Sequence, residues 1–361
     1  MSTFFVRPEV AALKPYSAGK SIEEVRREYG LTRIIKLASN ENPLGPSPRA
    51  LQALREAAEG VNIYPEGPST ALREALGARW GVGPDWIFVG NGSDEIFRLL
   101  ATTYLRRGDR VVVPRPSFPV YAGASALMGA QVDAVPLKDG AMDLPAMAAR
   151  ARGARIVFLC RPNNPTGGVF AAEAFDAFLR AVDPDTLVVL DEAYREYDDT
   201  LFDSRAFLAE YPNLIVTRTF SKIYGLAGLR LGYGVGRPGI WQPLYTVREP
   251  FSVNRLAQAA GLAALDDHDH LEASRRMNQA GRQFLTAFFR EMGLRPWPTQ
   301  ANFVLVDLGR PAAPVFEGLL RRGVVVRLPD PADLPNALRV TVGTEEQNRE
   351  FVRALTDVLN A

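Results

Sequence analysis

Short apolar runs recur through the chain and alternate with segments of helical period. Trp86–Val89, Arg110–Val113, Ile156–Cys160, Thr186–Leu190 and Leu214–Val216 show almost no polar alternation, the mark of strands buried on both faces of a sheet. Between them apolar positions fall at helical spacing, as at Ile96, Phe97, Leu99, Leu100 and Tyr104 after the turn Gly90–Glu95. This alternation over residues 36–250 predicts a large α/β domain with a mostly parallel sheet covered by helices on both faces. The pattern changes on either side. Residues 1–35 are irregular apart from an amphipathic stretch, Ile22–Tyr29, and a long helical region follows Asn254 to about Met292. Beyond it, Asn302–Val306, Val324–Arg327 and Arg339–Val342 predict a small sheet, with helices near 311–322 and 345–359. The arm 1–35 and residues 251–361 are therefore expected to form a smaller α+β domain, leaving a cleft between the two.

Composition excludes several function classes. A length of 361 residues suits about two domains, and a net charge of +1 implies neither a nucleic acid nor an anionic membrane as partner. The single cysteine, Cys160, rules out an internal disulfide framework. Residues Met1–Val10 lack a signal-peptide core and no apolar run has the length of a membrane span, so a cytoplasmic enzyme is expected. The only histidines, His268 and His270, lie in Asp266–His270, which reads as a solvated polar turn at a helix boundary; no metal is expected.

The chemistry concentrates after the strands. Lys222 follows the run Leu214–Val216 among small and apolar neighbours, where desolvation lowers an amine's pKa and makes it a nucleophile toward an aldehyde. Thr219 and Ser221 add hydroxyls and Arg230 a fixed cation. An aldehyde-seeking amine beside hydroxyls and an arginine describes a site for a phosphorylated aldehyde, pyridoxal 5'-phosphate (PLP). Asp191, at the end of Thr186–Leu190, is placed to hold the ring nitrogen protonated, and Tyr194 and Asn164 to reach the ring hydroxyl. The turn containing Gly92, Ser93 and Asp94 would present helix N-terminal N–H groups to the phosphate, and Phe118 would stack on the ring. Each has an ordinary reading too: Asp191, Ser93 or Asp94 as a helix cap, Asn164 within a Pro/Asn/Gly turn, Phe118 as core. Spacing separates the two. Asn164 to Asp191 is 27 residues and Asp191 to Lys222 is 31, each about one strand–helix–strand unit of roughly 30. The three thus fall at the carboxyl ends of successive strands, where open α/β sheets bind ligands.

The sequence resembles the class-II subfamily of fold-type I PLP-dependent aminotransferases, most closely the histidinol-phosphate branch. The resemblance is carried by Leu13–Tyr16, Lys36–Pro48, Tyr64–Gly67, Asn163–Gly167, Asp191–Tyr194, Thr219–Arg230, Arg248–Asn254 and Leu338–Thr344. It implies that Lys222 holds the cofactor and moves the proton, with Asp191 and Tyr194 as catalytic partners. It implies further that Tyr16, Asn42 and Arg339 bind substrate; should Arg339 serve only glutamate's carboxylate, Arg161, Arg327 and Lys20 are the next candidates for the substrate phosphate. Tyr64 would reach across a homodimer to the partner's cofactor; without the resemblance it reads as turn packing. Two departures, Arg161 and Ser252 where asparagine is commoner, are expected to bear on the substrate pocket. The implied reaction transfers an amino group from L-histidinol phosphate to 2-oxoglutarate, giving L-glutamate. An aromatic amino-acid aminotransferase and, more distantly, a PLP-dependent phospho-amino-acid decarboxylase are the alternatives. A PLP-sensing regulator would need a DNA-binding module for which the chain leaves no room.

Overall fold

The computed structural model describes residues 5–13, 15 and 19–361. Strand β1 (Ile35–Lys36) lies apart from the next seven, which form one sheet: β2 (Ile87–Gly90), β3 (Arg110–Arg115), β4 (Gln131–Pro136), β5 (Ile156–Cys160), β6 (Leu187–Asp191), β7 (Leu214–Thr219) and β8 (Gly232–Val235). Their order is β2-β8-β7-β6-β5-β3-β4. Only β8 runs against its neighbours; β5, β6 and β7 are adjacent and parallel, in the register Cys160 opposite Asp191 opposite Thr217. Every residue of β5 is buried, as is every residue of β6 after Leu187. That is why these strands read as unbroken apolar runs.

The remaining strands correct one expectation. Strand β10 (Phe303–Asp307) pairs antiparallel with β12 (Ala337–Thr341) and with β9 (Arg295–Pro296). Strand β11 (Val324–Val325) does not join this sheet; it pairs in parallel with β1. Only a single bridge, Arg327 to Arg339, ties its continuation to β12. The arm is thus stitched directly into the C-terminal part of the chain.

Helix boundaries follow their caps. The helix Ile22–Tyr29 is enclosed by a capping box between Ser21 and Glu24 and stopped by left-handed Gly30. The helical region after Asn254 is two helices, Arg255–Leu265 and His268–Glu291; Asn254 caps the first, and Asp267, within the expected helix boundary Asp266–His270, caps the second. The helix Arg255–Leu265 packs Ala257, Ala260, Ala264 and Leu265 into the large core, although a boundary at residue 250 assigns it to the smaller unit. A second core joins Ile35 and Leu37 to Leu285, Phe289, Val304, Val340 and Phe351. Among the described residues no helix is long and apolar enough to cross a membrane.

Candidate active site

The carboxyl ends of β5, β6 and β7 open into a cavity of about 250 Å³. Asp191, Tyr194, Asn164, Thr219, Lys222, Arg230, Ser93, Asp94, Phe118 and Arg339 all line it. The expected residues are therefore gathered by the fold from segments far apart in sequence.

Asp191 closes β6 and is buried. Its Oδ2 accepts from the Tyr121 hydroxyl at 2.5 Å, and Oδ1 from the Ala193 N–H at 3.1 Å and the Thr217 hydroxyl at 3.4 Å. Burial pushes its carboxyl up to about 6, against the pull of these donors. Lys222 stands three residues beyond β7, and its Nζ donates to the Ser39 carbonyl at 3.0 Å. Burial, followed by the nearby Arg339 charge, brings its amine down to about 8. A substantial neutral fraction near physiological pH is what a nucleophilic amine requires. The Tyr194 phenol accepts from Asn40 Nδ2 at 2.9 Å, and burial raises its pKa.

Ser93 and Asp94 open the helix Ser93–Tyr104, whose first N–H groups have no partners within the helix. Arg230 lies across from them, with Nη2 3.4 Å from Asp94 Oδ2 and Nη1 3.5 Å from Ser221 Oγ. Gly92 has a positive φ of 75°, and a Cβ there would sit 2.8 Å from Arg230 Nη2. Only glycine keeps this anion cradle open. Thr219 Oγ1 accepts from the Ser221 N–H at 3.1 Å and so fixes the turn into Lys222. Amine, buried carboxylate, aromatic wall at Phe118 and anion cradle together fit the parts of PLP.

A second cationic group faces the same cavity. Arg339 donates to Asn164 Oδ1 and, at 2.6 Å, to the Ala38 carbonyl; Arg327 lines the cavity beside it. The segment that continues the arm beyond β1, and is counted as part of it, supplies the facing wall through Ala38, Ser39, Asn40 and Glu41. It is held by Thr341 N–H to Leu37 O (2.9 Å), Asn40 N–H to Thr341 Oγ1 (3.0 Å) and Asn302 Nδ2 to Asn40 O (3.0 Å).

Several expected residues sit elsewhere. Asn42 does not line the cavity: its Nδ2 donates to Ile223 O (2.7 Å) and Ser274 Oγ (2.8 Å), which anchors the arm rather than a substrate. Arg161, 1% exposed, points away and is consumed by Asp198, Phe170 O and Thr200, with Phe202 beneath its guanidinium at 3.9 Å. Ser252 bonds Glu95 and Arg248, and Lys20 bonds Glu28. Neither departure from the family pattern therefore touches the pocket. Tyr64 is 77% exposed, stacked on Phe251 at 4.7 Å, and does not line this chain's cavity. Tyr16 lies outside the described residues. Asn40 and Tyr121, both in contact with expected residues, were not anticipated; Tyr121 is signalled only by its place three positions after Phe118.

The model of aminotransferase class I and II matches residues 32–355. The chain belongs to this family. Among curated aminotransferases it is 60% identical to the histidinol-phosphate aminotransferase of Symbiobacterium thermophilum, over 98% of both chains. It is 49% identical to that of Moorella thermoacetica, over 98% of this chain and 92% of the other. The crystal structure of histidinol-phosphate aminotransferase from Sinorhizobium meliloti in complex with pyridoxal-5'-phosphate matches with a TM-score of 0.93 and 32% identity, covering 99% of each chain.

Proposed function

We propose that this aminotransferase uses PLP to move the amino group of L-histidinol phosphate to 2-oxoglutarate, forming imidazole acetol phosphate and L-glutamate in histidine biosynthesis. The observation that carries the reading is one cavity with two separate seats for anions. Arg230 and the Ser93 helix terminus make one, and Arg327 with Arg339 the other. The first suits the cofactor's phosphate. The second suits the substrate phosphate, the only anion of histidinol phosphate, and takes glutamate's carboxylate in the other half-reaction. The likeness to the named relatives supports the same substrate.

When bound, PLP supplies an electrophilic carbonyl carbon and a protonated ring that withdraws the electrons freed at the substrate carbon. Lys222 Nζ, with its lowered proton affinity, would hold the cofactor and act as the base for the proton on the amino-bearing carbon. Asp191 would hold a negative charge toward the ring nitrogen, Phe118 would wall the ring, and Tyr194 and Asn164 would orient its oxygen. The arm shields these groups from water. Tyr64, exposed beside Val61, Ile63 and Phe251, supports a homodimer in which its phenol serves the partner's cavity. A cytoplasmic setting goes with this reading.

The test is to add L-histidinol phosphate or L-phenylalanine to the purified holoenzyme and follow the absorbance of the bound cofactor, then glutamate formation with 2-oxoglutarate. Rapid conversion by histidinol phosphate is expected. Faster conversion by phenylalanine would replace the proposed donor with an aromatic amino acid.

A further inference from the structure

Asp191 receives its shortest hydrogen bond from a residue outside the cavity lining. Tyr121 lies in the helix Val120–Leu127, is 1% exposed, and reaches Asp191 Oδ2 at 2.5 Å. Its ring is fixed on three sides. Phe158 of β5 stacks on it at 4.9 Å with planes 8° apart, and Phe97 meets it edge-on at 5.1 Å. Phe118 meets it edge-on at 5.5 Å. Tyr121 therefore touches both groups that would contact the cofactor's ring, the carboxylate and the aromatic wall. A side chain with its rotamer held by packing loses little freedom in making its hydrogen bond.

The other groups facing Asp191 are less well aimed. Thr217 of β7 donates at 3.4 Å and the Ala193 N–H at 3.1 Å. Cys160 of β5 stands opposite it in the sheet, its thiol donating to Pro162 O. The negative charge of Asp94, at the start of the helix Ser93–Tyr104, opposes ionisation of Asp191. No protein cation bonds the carboxylate among the described residues, so neutral donors alone favour its charged form. Tyr121 is the nearest of them.

We propose that Tyr121 is a positioning residue for transamination, acting through Asp191: its hydroxyl stabilises the carboxylate's charge and so keeps the shared proton on the cofactor's ring nitrogen rather than on Asp191. Without that donor the carboxylate becomes the stronger base, and a proton drawn onto it leaves the ring a weaker electron sink. The inference rests on the proposed use of PLP but not on the identity of the amino donor.

The test compares Tyr121→Phe, which keeps the ring contacts, with the parent in wild-type and Asp191→Asn backgrounds. With a hydrogen bond to a charged group as the scale, kcat should fall roughly ten- to hundredfold while KM changes less than about threefold. The loss should largely vanish in the Asp191→Asn background, because Tyr121 acts through the missing charge. In the cofactor-free full chain, the Asp191 carboxyl band, identified by its absence in Asp191→Asn, should titrate at higher pH in Tyr121→Phe. This infrared readout stands even if histidinol phosphate proves not to be the donor. An unshifted carboxyl titration, or an equal loss in both backgrounds, would overturn the proposal and leave Tyr121 as packing beneath Phe118.

Discussion

Asp191 and Glu192 are neighbours in sequence, both buried, yet they meet opposite surroundings. Successive side chains of an extended strand end face opposite ways. Asp191 faces the cavity and receives only neutral donors from the protein. Glu192 faces away, and its Oε2 accepts from Arg218 Nε and Nη2 at 2.9 and 2.8 Å and from Ser204 at 3.1 Å. Arg218 is in turn stacked over Trp80 at 4.5 Å. Arg161 and Asp198 form a second such buried pair. Burial is alike in the two regions; what differs is who supplies the countercharge. Where the protein supplies it, the charge is part of the scaffold. Where it does not, as at Asp191, burial raises the carboxyl's proton affinity, and the place is kept for a cation that arrives with a ligand.

The comparison can be broken at either end. Lys222→Ala should have the largest effect, removing nucleophile and base together. Base catalysis alone contributes about 10²–10⁴-fold, and turnover should fall by at least that factor. The borohydride-reducible link to the cofactor should disappear, and a labelled peptide from the parent enzyme should contain Lys222. Next, Glu192→Ala takes the main partner from half-buried Arg218, which keeps only Glu196 at 3.7 Å, and should cost about 3 kcal/mol of folding stability, measured by denaturant. An unchanged midpoint would remove Glu192 from the scaffold. Asp191→Ala should do the reverse, lowering kcat roughly 10²–10³-fold, the scale for one preorganised electrostatic partner. Its KM should move little, and the cofactor-free protein should be no less stable. Near-normal kcat in a folded, PLP-loaded variant would contradict the assignment.

The smallest effect is on pH dependence without cofactor. Asp191, raised from 3.8 to about 6, binds a proton more tightly folded than unfolded. It therefore penalises the fold above pH 6, and the penalty is relieved as pH falls from 6 toward 3.8. Lys222, lowered from 10.5 to about 8, penalises the fold below pH 8 and is relieved as pH rises from 8 to 10.5. Each contributes about 3 kcal/mol at most. Asp191→Asn and Lys222→Met should each flatten one limb of the stability profile; unchanged limbs would mean these groups are not desolvated.

Legibility in the sequence followed burial. Strands β5, β6 and β7 were readable because both faces are covered, which leaves no polar alternation. Strand β4, Gln131–Pro136, was not, because it is an edge with only Val135 buried. Nor was β8, where Gly232 and Gly234 interrupt the apolar signal while making room for Ser93 and Trp241. Lys222, Asp191 and Asn164 could be found because the strand–helix repeat sets their spacing. Asn40 could not, since its partners lie at Tyr194, Asn302 and Thr341 and no local period links them. Asn42 was misplaced for a related reason: a motif identifies a residue's neighbourhood but not which way its amide points. Arg161 shows the same limit.

The stitching of the arm to the last strands also sets the order in which a newly made chain can become an enzyme. Leu37, Ala38 and Asn40 emerge from the ribosome early, yet several of their hydrogen bonds await Asn302, Arg339 and Thr341, roughly 260 to 300 residues later. The large core, whose members lie between Ala50 and Leu265, is fully synthesised before any of these partners exists. During translation the Lys222 cavity therefore has its floor, while its facing wall is tied from Asn40 to Tyr194 and from Asn42 to Ile223 and Ser274. The wall has all its remaining anchors, and the cavity both Arg327 and Arg339, only once β12 has been made.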